Sequence, residues 1–288
     1  VAERPLINTV DIEGNGAIPK DALEQNLKAN LIAKGEVFDA QKLEAFKQSL
    51  IEHYHSIGRY TATIDTITTR AENGGINVKL DIKEGDVAYV KNINFEGNHA
   101  FNSKELTKQL DIQPDVSWFN IFASSKFESQ AYAKDLDTIR DFYMNRGYAK
   151  FALTGTDVKF TDDKKEVDLT YQVSEGEQYK VSDVRIIGNT ANLGNQLNAL
   201  LKDYQTGDLF RKDDLLKIEE AIKQKLGENG FGSAQVDLYP KFDEDAKTVQ
   251  VNFVVEAGPR VYVRKIRFEG NNAVSYTHLR AHETPEHL

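Results

Sequence analysis

The sequence predicts an α+β fold: tandem βααββ repeats, each a three-stranded mixed sheet covered on one face by two helices. Three recurring anchors carry that prediction. A Gly-Asn pair closes a strand pattern at Gly14-Asn15, Gly97-Asn98, Gly188-Asn189 and Gly270-Asn271, in steps of 83, 91 and 82 residues. A glycine ends a long amphipathic segment at Gly58, Gly147 and Gly230, and an acidic-Gly turn opens a new strand at Glu84-Gly85, Glu175-Gly176 and Glu256-Ala257-Gly258. The second and third anchors stand 26, 28 and 26 residues apart. Two spacings that agree over three copies mark an internal repeat.

Each unit opens on a strand. Lys91 to Glu96 and Arg264 to Glu269 alternate apolar and polar residues, the period of a half-buried strand. Gly-Asn then supplies two residues that tolerate positive φ, so the strand ends in a tight turn. Two helices follow. Ser103-Lys104-Glu105-Leu106 has the hydroxyl and early acid of a helix start, with Ser103 expected as the cap. The second helix is the longer. Its apolar stripe runs through Leu43, Phe46, Leu50 and Tyr54, then Leu136, Ile139 and Tyr143, then Leu215, Ile218, Ile222 and Leu226. One stripe per helix implies one face buried against a sheet. The glycine four residues beyond Tyr54, Tyr143 or Leu226 is the expected left-handed cap.

A hairpin closes the unit. Its last strand alternates through Ile76, Val78, Leu80 and Ile82, through Val167, Leu169, Tyr171 and Val173, and through Val249, Val251, Phe253 and Val255. The turns before it are polar. The strand before the turn is less regular. Ile64 to Ile67 and Leu153 to Val158 each shift phase by one residue, as a β-bulge does. The matching strand of the third repeat holds Pro240, which a central strand would not tolerate. Both features place this strand at a sheet edge, either as a strand acceptor or as a merely solvated border. The best candidate acceptor is the second repeat, Ala149 to Lys159, with Ala149, Lys150, Phe151, Ala152, Leu153, Thr154, Thr156 and Val158 as its site residues.

The repeats divide the chain at 5–88, 89–178 and 179–260, with the first strand of a further repeat at 261–273 and a tail at 274–288 that reads as non-native. The links Glu84 to Val90 and Glu175 to Val181 are short and carry little apolar surface, which predicts small interfaces and hinged repeats. The second repeat is longer between its first two anchors, around Pro114 to Phe122, and this insert holds the single Trp of the chain. Trp118 and Phe119 suit a docking patch. Burial in a local core that packs the longer loop is the commoner fate of such residues.

Composition excludes several function classes. With 36 basic and 45 acidic residues the net charge is −9, which disfavours nucleic acid and anionic membrane surfaces as partners. No cysteine is present, so disulfides, thiolate zinc sites and thiol nucleophiles are excluded. No stretch reaches the roughly 18 apolar residues of a membrane helix. The chain begins almost directly on a strand, which reads as a fragment of a longer protein. Gly227, Gly230 and Gly232 end a helix and so cannot cradle a phosphate at its start. Asp243 and Asp245 lack further ligands at EF-hand spacing. The late histidines His278, His282 and His287 fall where the repeat pattern has already stopped. No catalytic residue, metal or cofactor is therefore expected. A KH-type RNA module has the same element order but needs a Gly-x-x-Gly loop and basic flanks, and the first repeat offers only Ala33-Lys34-Gly35-Glu36.

The unit order, the Tyr143-x-x-x-Gly147-Tyr148-Ala149 helix end and the Glu175-Gly176 turn resemble the POTRA (polypeptide-transport-associated) family. Phe95 to Phe101, Tyr143 to Phe151 and Tyr262 to Asn271 are similar to the form of it carried by outer-membrane assembly factors of Gram-negative bacteria. The resemblance runs from about Pro5 to Asn272. The three full units look like the second, third and fourth domains of such an array, and the stub like the start of a fifth. It implies a periplasmic location, attachment to a C-terminal membrane barrel outside this sequence, accessory lipoproteins of the assembly complex as partners, and transient capture of unfolded outer-membrane proteins. A POTRA spacer from another secretion or cell-division protein is the alternative it leaves.

Overall fold

The computed structural model describes residues 4–114, 124–202 and 204–262. The first repeat runs β1 (Ile7–Glu13), α1 (Lys20–Ala29), α2 (Ala40–Ser56), β2 (Thr63–Arg70) and β3 (Ile76–Lys83). The second runs β4 (Tyr89–Glu96), α3 (Ser103–Thr107), α4 (Ser129–Met144), β5 (Ala152–Phe160) and β6 (Glu166–Ser174). The third runs β7 (Lys180–Asn189), α5 (Gly194–Asn198), α6 (Lys212–Glu228), β8 (Gln235–Asp243) and β9 (Thr248–Glu256). The first two repeats belong to one compact unit and the third to another.

Each repeat builds its own three-stranded sheet, in the orders β1-β3-β2, β4-β6-β5 and β7-β9-β8. The last strand is central because it alone is apolar enough at every second residue to be buried from end to end. Val78, Leu80 and Ile82 are buried in β3, Val167, Leu169, Tyr171 and Val173 in β6, and Val249, Val251, Phe253 and Val255 in β9. The first strand pairs with it in parallel and the second antiparallel, which makes the sheet mixed. The helices cover one face. Leu43, Phe46, Leu50 and Tyr54 of α2 join the core of the first repeat, and Ile139, Phe142 and Tyr143 of α4 that of the second.

The anchors converge in space. The Tyr54 hydroxyl donates to the Glu84 carboxylate (3.1 Å), which also accepts from the Ala17 N–H just past the Gly-Asn turn (2.7 Å). Tyr143, Glu175 and Ala100 repeat this arrangement at 2.8 and 3.0 Å. Burial and the neighbouring carboxylate push both tyrosine hydroxyls upward in pKa, so they stay protonated donors. In the third repeat Leu226 takes the tyrosine's place, and Glu256 accepts from the Asn189 side chain instead (3.1 Å). The Gly-Asn glycine is required sterically. Gly14, Gly97 and Gly188 have φ of +84°, +85° and +96°, and a Cβ on any of them would overlap the carbonyl oxygen of Ile82, Val173 or Val255 at the end of the central strand.

Three expectations need correction. The cap of α3 is Asn102, whose side chain accepts from the Glu105 N–H at 3.0 Å, and Ser103 is the first helical residue. The phase shift in β2 is not a bulge: its ladder to β3 runs unbroken, and Ile67 simply faces solvent. The link between the first two repeats is not poor in apolar contact. Tyr60 packs 5.7 Å from Phe127 and 4.7 Å from Phe160, while the Gly58 carbonyl accepts from Ala88 and the Ala88 carbonyl from Phe127. These rings come from outside the link, so the link's own composition did not reveal them. From residue 263 on, the rest of the expected further strand and the tail lie outside the described residues.

Candidate functional site

A strand edge can accept another chain only where its main chain is unpaired, and main-chain direction can be derived from the register. The Tyr89 N–H donates to the Lys165 carbonyl (2.9 Å), so Lys165 faces β4 and Glu166 faces β5. The Thr161 N–H indeed donates to the Glu166 carbonyl (3.0 Å). Direction alternates along a strand, so Val167, Leu169 and Tyr171 face β4. Their partners on β5 are Phe160, Val158 and Thr156. Those three residues therefore turn N–H and C=O away from the sheet, on the side where β5 has no neighbouring strand.

The ladder shifts register between Leu153 and Gly155, a bulge that leaves Thr154 unpaired and lets its hydroxyl donate to the Gln172 carbonyl (3.1 Å). The side chains of Val158 and Phe160 lie half-buried on the helix-covered face with Leu153, and Thr156 shares that side but is exposed. Asp157 and Lys159 point to the other face and pair with each other (2.9 Å). The edge thus presents an apolar ledge on one side and charge on the other.

Not all of the sequence-derived site residues belong to this edge. The strand begins at Ala152, so Ala149, Lys150 and Phe151 precede it. Ala149 and Phe151 use their amides within the turn, toward the Gly147 and Tyr148 carbonyls (2.9 and 3.0 Å). Phe151 is buried and stacks on Tyr143 at 4.3 Å between centroids. Apolar alternation runs on through this turn, which is why it resembled strand. Trp118 and Phe119 lie outside the described residues.

The opposite edge, on the first strand of each repeat, is closed at its start by the segment between the two helices. Ile7 donates to the Glu36 carbonyl (2.8 Å), Val90 to Ser125 (2.7 Å) and Val181 to Asp208 (2.7 Å). Sequence reasoning missed this closure, because it is made by main-chain atoms that leave no side-chain pattern.

In the second repeat a buried carboxylate holds that closing segment. Asp135 of α4, the one buried charged side chain among the described residues, accepts from the Asp111 and Ile112 N–H groups at 2.7 and 3.1 Å. The Gln113 N–H in turn donates to the Ser124 carbonyl (3.0 Å), next to the residue that covers β4. Burial pushes the Asp135 carboxyl up to about 6, against the two backbone donors that pull it down. The available signal was positional: Asp135 interrupts the apolar stripe one residue before Leu136. Among the described residues, no three His, Cys, Asp or Glu side chains are grouped as a metal would need. No described helix is long and apolar enough to cross a membrane.

Comparison with known proteins agrees with this architecture. The family model described as "POTRA: Surface antigen variable number repeat" matches residues 5–85, 88–176 and 179–258. The outer membrane protein assembly factor BamA of Buchnera aphidicola subsp. Acyrthosiphon pisum (strain APS) is 28% identical over 271 residues, covering 94% of this chain and 44% of that protein. BamA of Neisseria meningitidis serogroup B is 26% identical over 272 residues, covering 94% of this chain and 34% of that protein. The chain spans less than half the length of these curated relatives. The crystal structure of Haemophilus influenzae BamA POTRA3-5 is similar at 41% identity and a TM-score of 0.58, over 69% of this chain and 78% of that one. A family model that matches each of three consecutive repeats, each with its mixed sheet and paired helices, leaves one conclusion: the chain belongs to the POTRA family.

Proposed function

We propose that this chain is a periplasmic scaffold of the machinery that assembles outer-membrane β-barrels. It binds accessory lipoproteins and unfolded outer-membrane proteins, partly by strand addition at sheet edges, and carries out no chemical step of its own. The relatives' name, outer membrane protein assembly factor, supports the setting. The observation that carries the reading is the open edge of β5, with main-chain groups of Thr156, Val158 and Phe160 facing away from the sheet. Main-chain pairing makes little demand on guest sequence, which suits a site that takes many substrates. A barrel strand in its unfolded form alternates apolar and polar residues, and β5 offers a ledge of each kind.

Ordering a flexible guest offsets much of the gain, so affinity should be modest. The test is Thr156→Pro, since Thr156 points its N–H outward and Thr154 sits in the bulge. A proline there leaves the bonds to β6 intact, removes one outward donor and places its ring in the guest's path. Binding of a barrel-strand peptide should weaken by about tenfold or more, with the thermal midpoint nearly unchanged. A folded variant that binds as well as the parent would remove β5 from the account.

A further inference from the structure

The free edges of the three sheets are not equivalent. In the third sheet the Lys180 N–H donates to the Lys247 carbonyl (3.1 Å), so Lys247 faces β7 and Thr248 faces β8. Alternation then turns Val251, Phe253 and Val255 toward β7. Their partners on β8, Pro240, Leu238 and Val236, direct their main chain to the open side. Pro240 therefore occupies the place that Val158 holds in the second repeat, where Val158 pairs with Leu169. The position is unbonded to β9, which explains how a strand flanked by regular pairing tolerates proline. For an incoming strand the same residue is an obstacle. It offers no N–H midway along the edge, and its ring occupies the space a guest carbonyl would need. In β2 the Ile76 N–H donates to Leu6, so by the same alternation Thr66 and Thr68 face outward, with no proline among them.

We propose that Pro240 bars strand addition at the third sheet, so that an extended chain of alternating apolar and polar residues pairs with the edges of the first two repeats and passes the third. The array then has a built-in register for its guest, set by which edges are open. This rests on the strand-addition reading above and adds to it which repeats take part.

The experiment measures amide hydrogen exchange in the full chain, with and without a synthetic peptide of alternating valine and threonine, about ten residues long and tipped with lysine. It uses the parent, Pro240→Val and Pro240→Thr. In the parent, exchange should slow at Thr156 and Val158 and stay unchanged at Leu238 and Val236. In either proline variant, exchange at Leu238 should slow as well, by about tenfold at saturating peptide. Peptide-dependent slowing at Leu238 in the parent would overturn the proposal, as would variants that fold and gain no slowing there. If the parent shows no protection anywhere and the variants gain it at Leu238, the bar at Pro240 stands, and pairing at the first two edges falls together with strand addition at β5. If parent and variants are unprotected throughout, both fall together.

Discussion

Two glycines of the first repeat form a matched pair that isolates the role of the Gly-Asn turn. Gly14 and Gly74 have φ of +84° and +81°. Alanine at either must adopt the left-handed region, at a cost of about 1–2 kcal/mol. Loss of chain freedom in the unfolded state returns about half of that. At Gly74 nothing lies within 4 Å of an added Cβ, so Gly74→Ala should lose about 1 kcal/mol. At Gly14 the Cβ would fall well inside 3.0 Å of the Ile82 carbonyl oxygen. That oxygen belongs to the backbone of the central strand and cannot rotate away. The turn must shift, which adds about 1–3 kcal/mol of the kind seen when a packed core is overfilled. Gly14→Ala should therefore lose about 3 kcal/mol, a large share of the roughly 4–12 kcal/mol that a repeat of this size commands. Urea titration with exchange read at Val78 and Leu80 of β3 follows this repeat alone. With a slope of about 1 kcal/mol per molar, the midpoint should fall by about 1 M for Gly74→Ala and about 3 M for Gly14→Ala. Equal shifts in the two variants would refute the steric argument and reduce the anchor to a matter of φ.

Other outcomes follow from single groups. The folded Asp135 carboxyl sits at about 6, above its unfolded value, so the folded state binds the extra proton between about pH 4 and 6. Stability from this group is then full below about pH 4 and falls as pH rises through 6, by about 3 kcal/mol. Asp135→Asn should abolish that slope in pH-dependent urea melts, and an unchanged slope would reassign it. Asp135→Ala leaves the Asp111 and Ile112 N–H groups without their acceptor and should cost about 2–4 kcal/mol, with faster exchange at Ile112. Phe127→Ala removes a buried ring that also packs on Tyr60 of the preceding repeat. It should cost about 3 kcal/mol and raise exchange at Arg59 and Ala62, which flank Tyr60 and bond within the first repeat, as well as in the second core. A loss confined to the second core would mean the Tyr60 contact carries no energy.

What was legible in the sequence was what steric necessity writes into residue type. Positive φ beside a carbonyl admits only glycine, so the anchors can be counted along the chain from residue letters alone. The alternation of Val167, Leu169, Tyr171 and Val173 marked a strand buried along its whole length, and Pro240 marked an edge. What was hidden is made of main chain or of exceptions. The segment that closes β4 works through the carbonyl of Ser125, an atom that every residue possesses. Asp135 stands where the first repeat has Phe46, an apolar site turned polar to hold a longer loop, and a search for apolar stripes passes over it. Ala149 to Phe151 kept the alternation of a strand while forming a turn, because Phe151 is needed in the core against Tyr143.

Amide hydrogen exchange along β5 in the presence of an unfolded outer-membrane β-barrel protein puts the account to its most direct test. Thr156, Val158 and Phe160 should become protected together, while Asp157 and Lys159, already bonded to β6 in the register described, should change little. Protection that leaves those three amides untouched and falls instead on the segment around Trp118, or on no part of the second repeat, would contradict it.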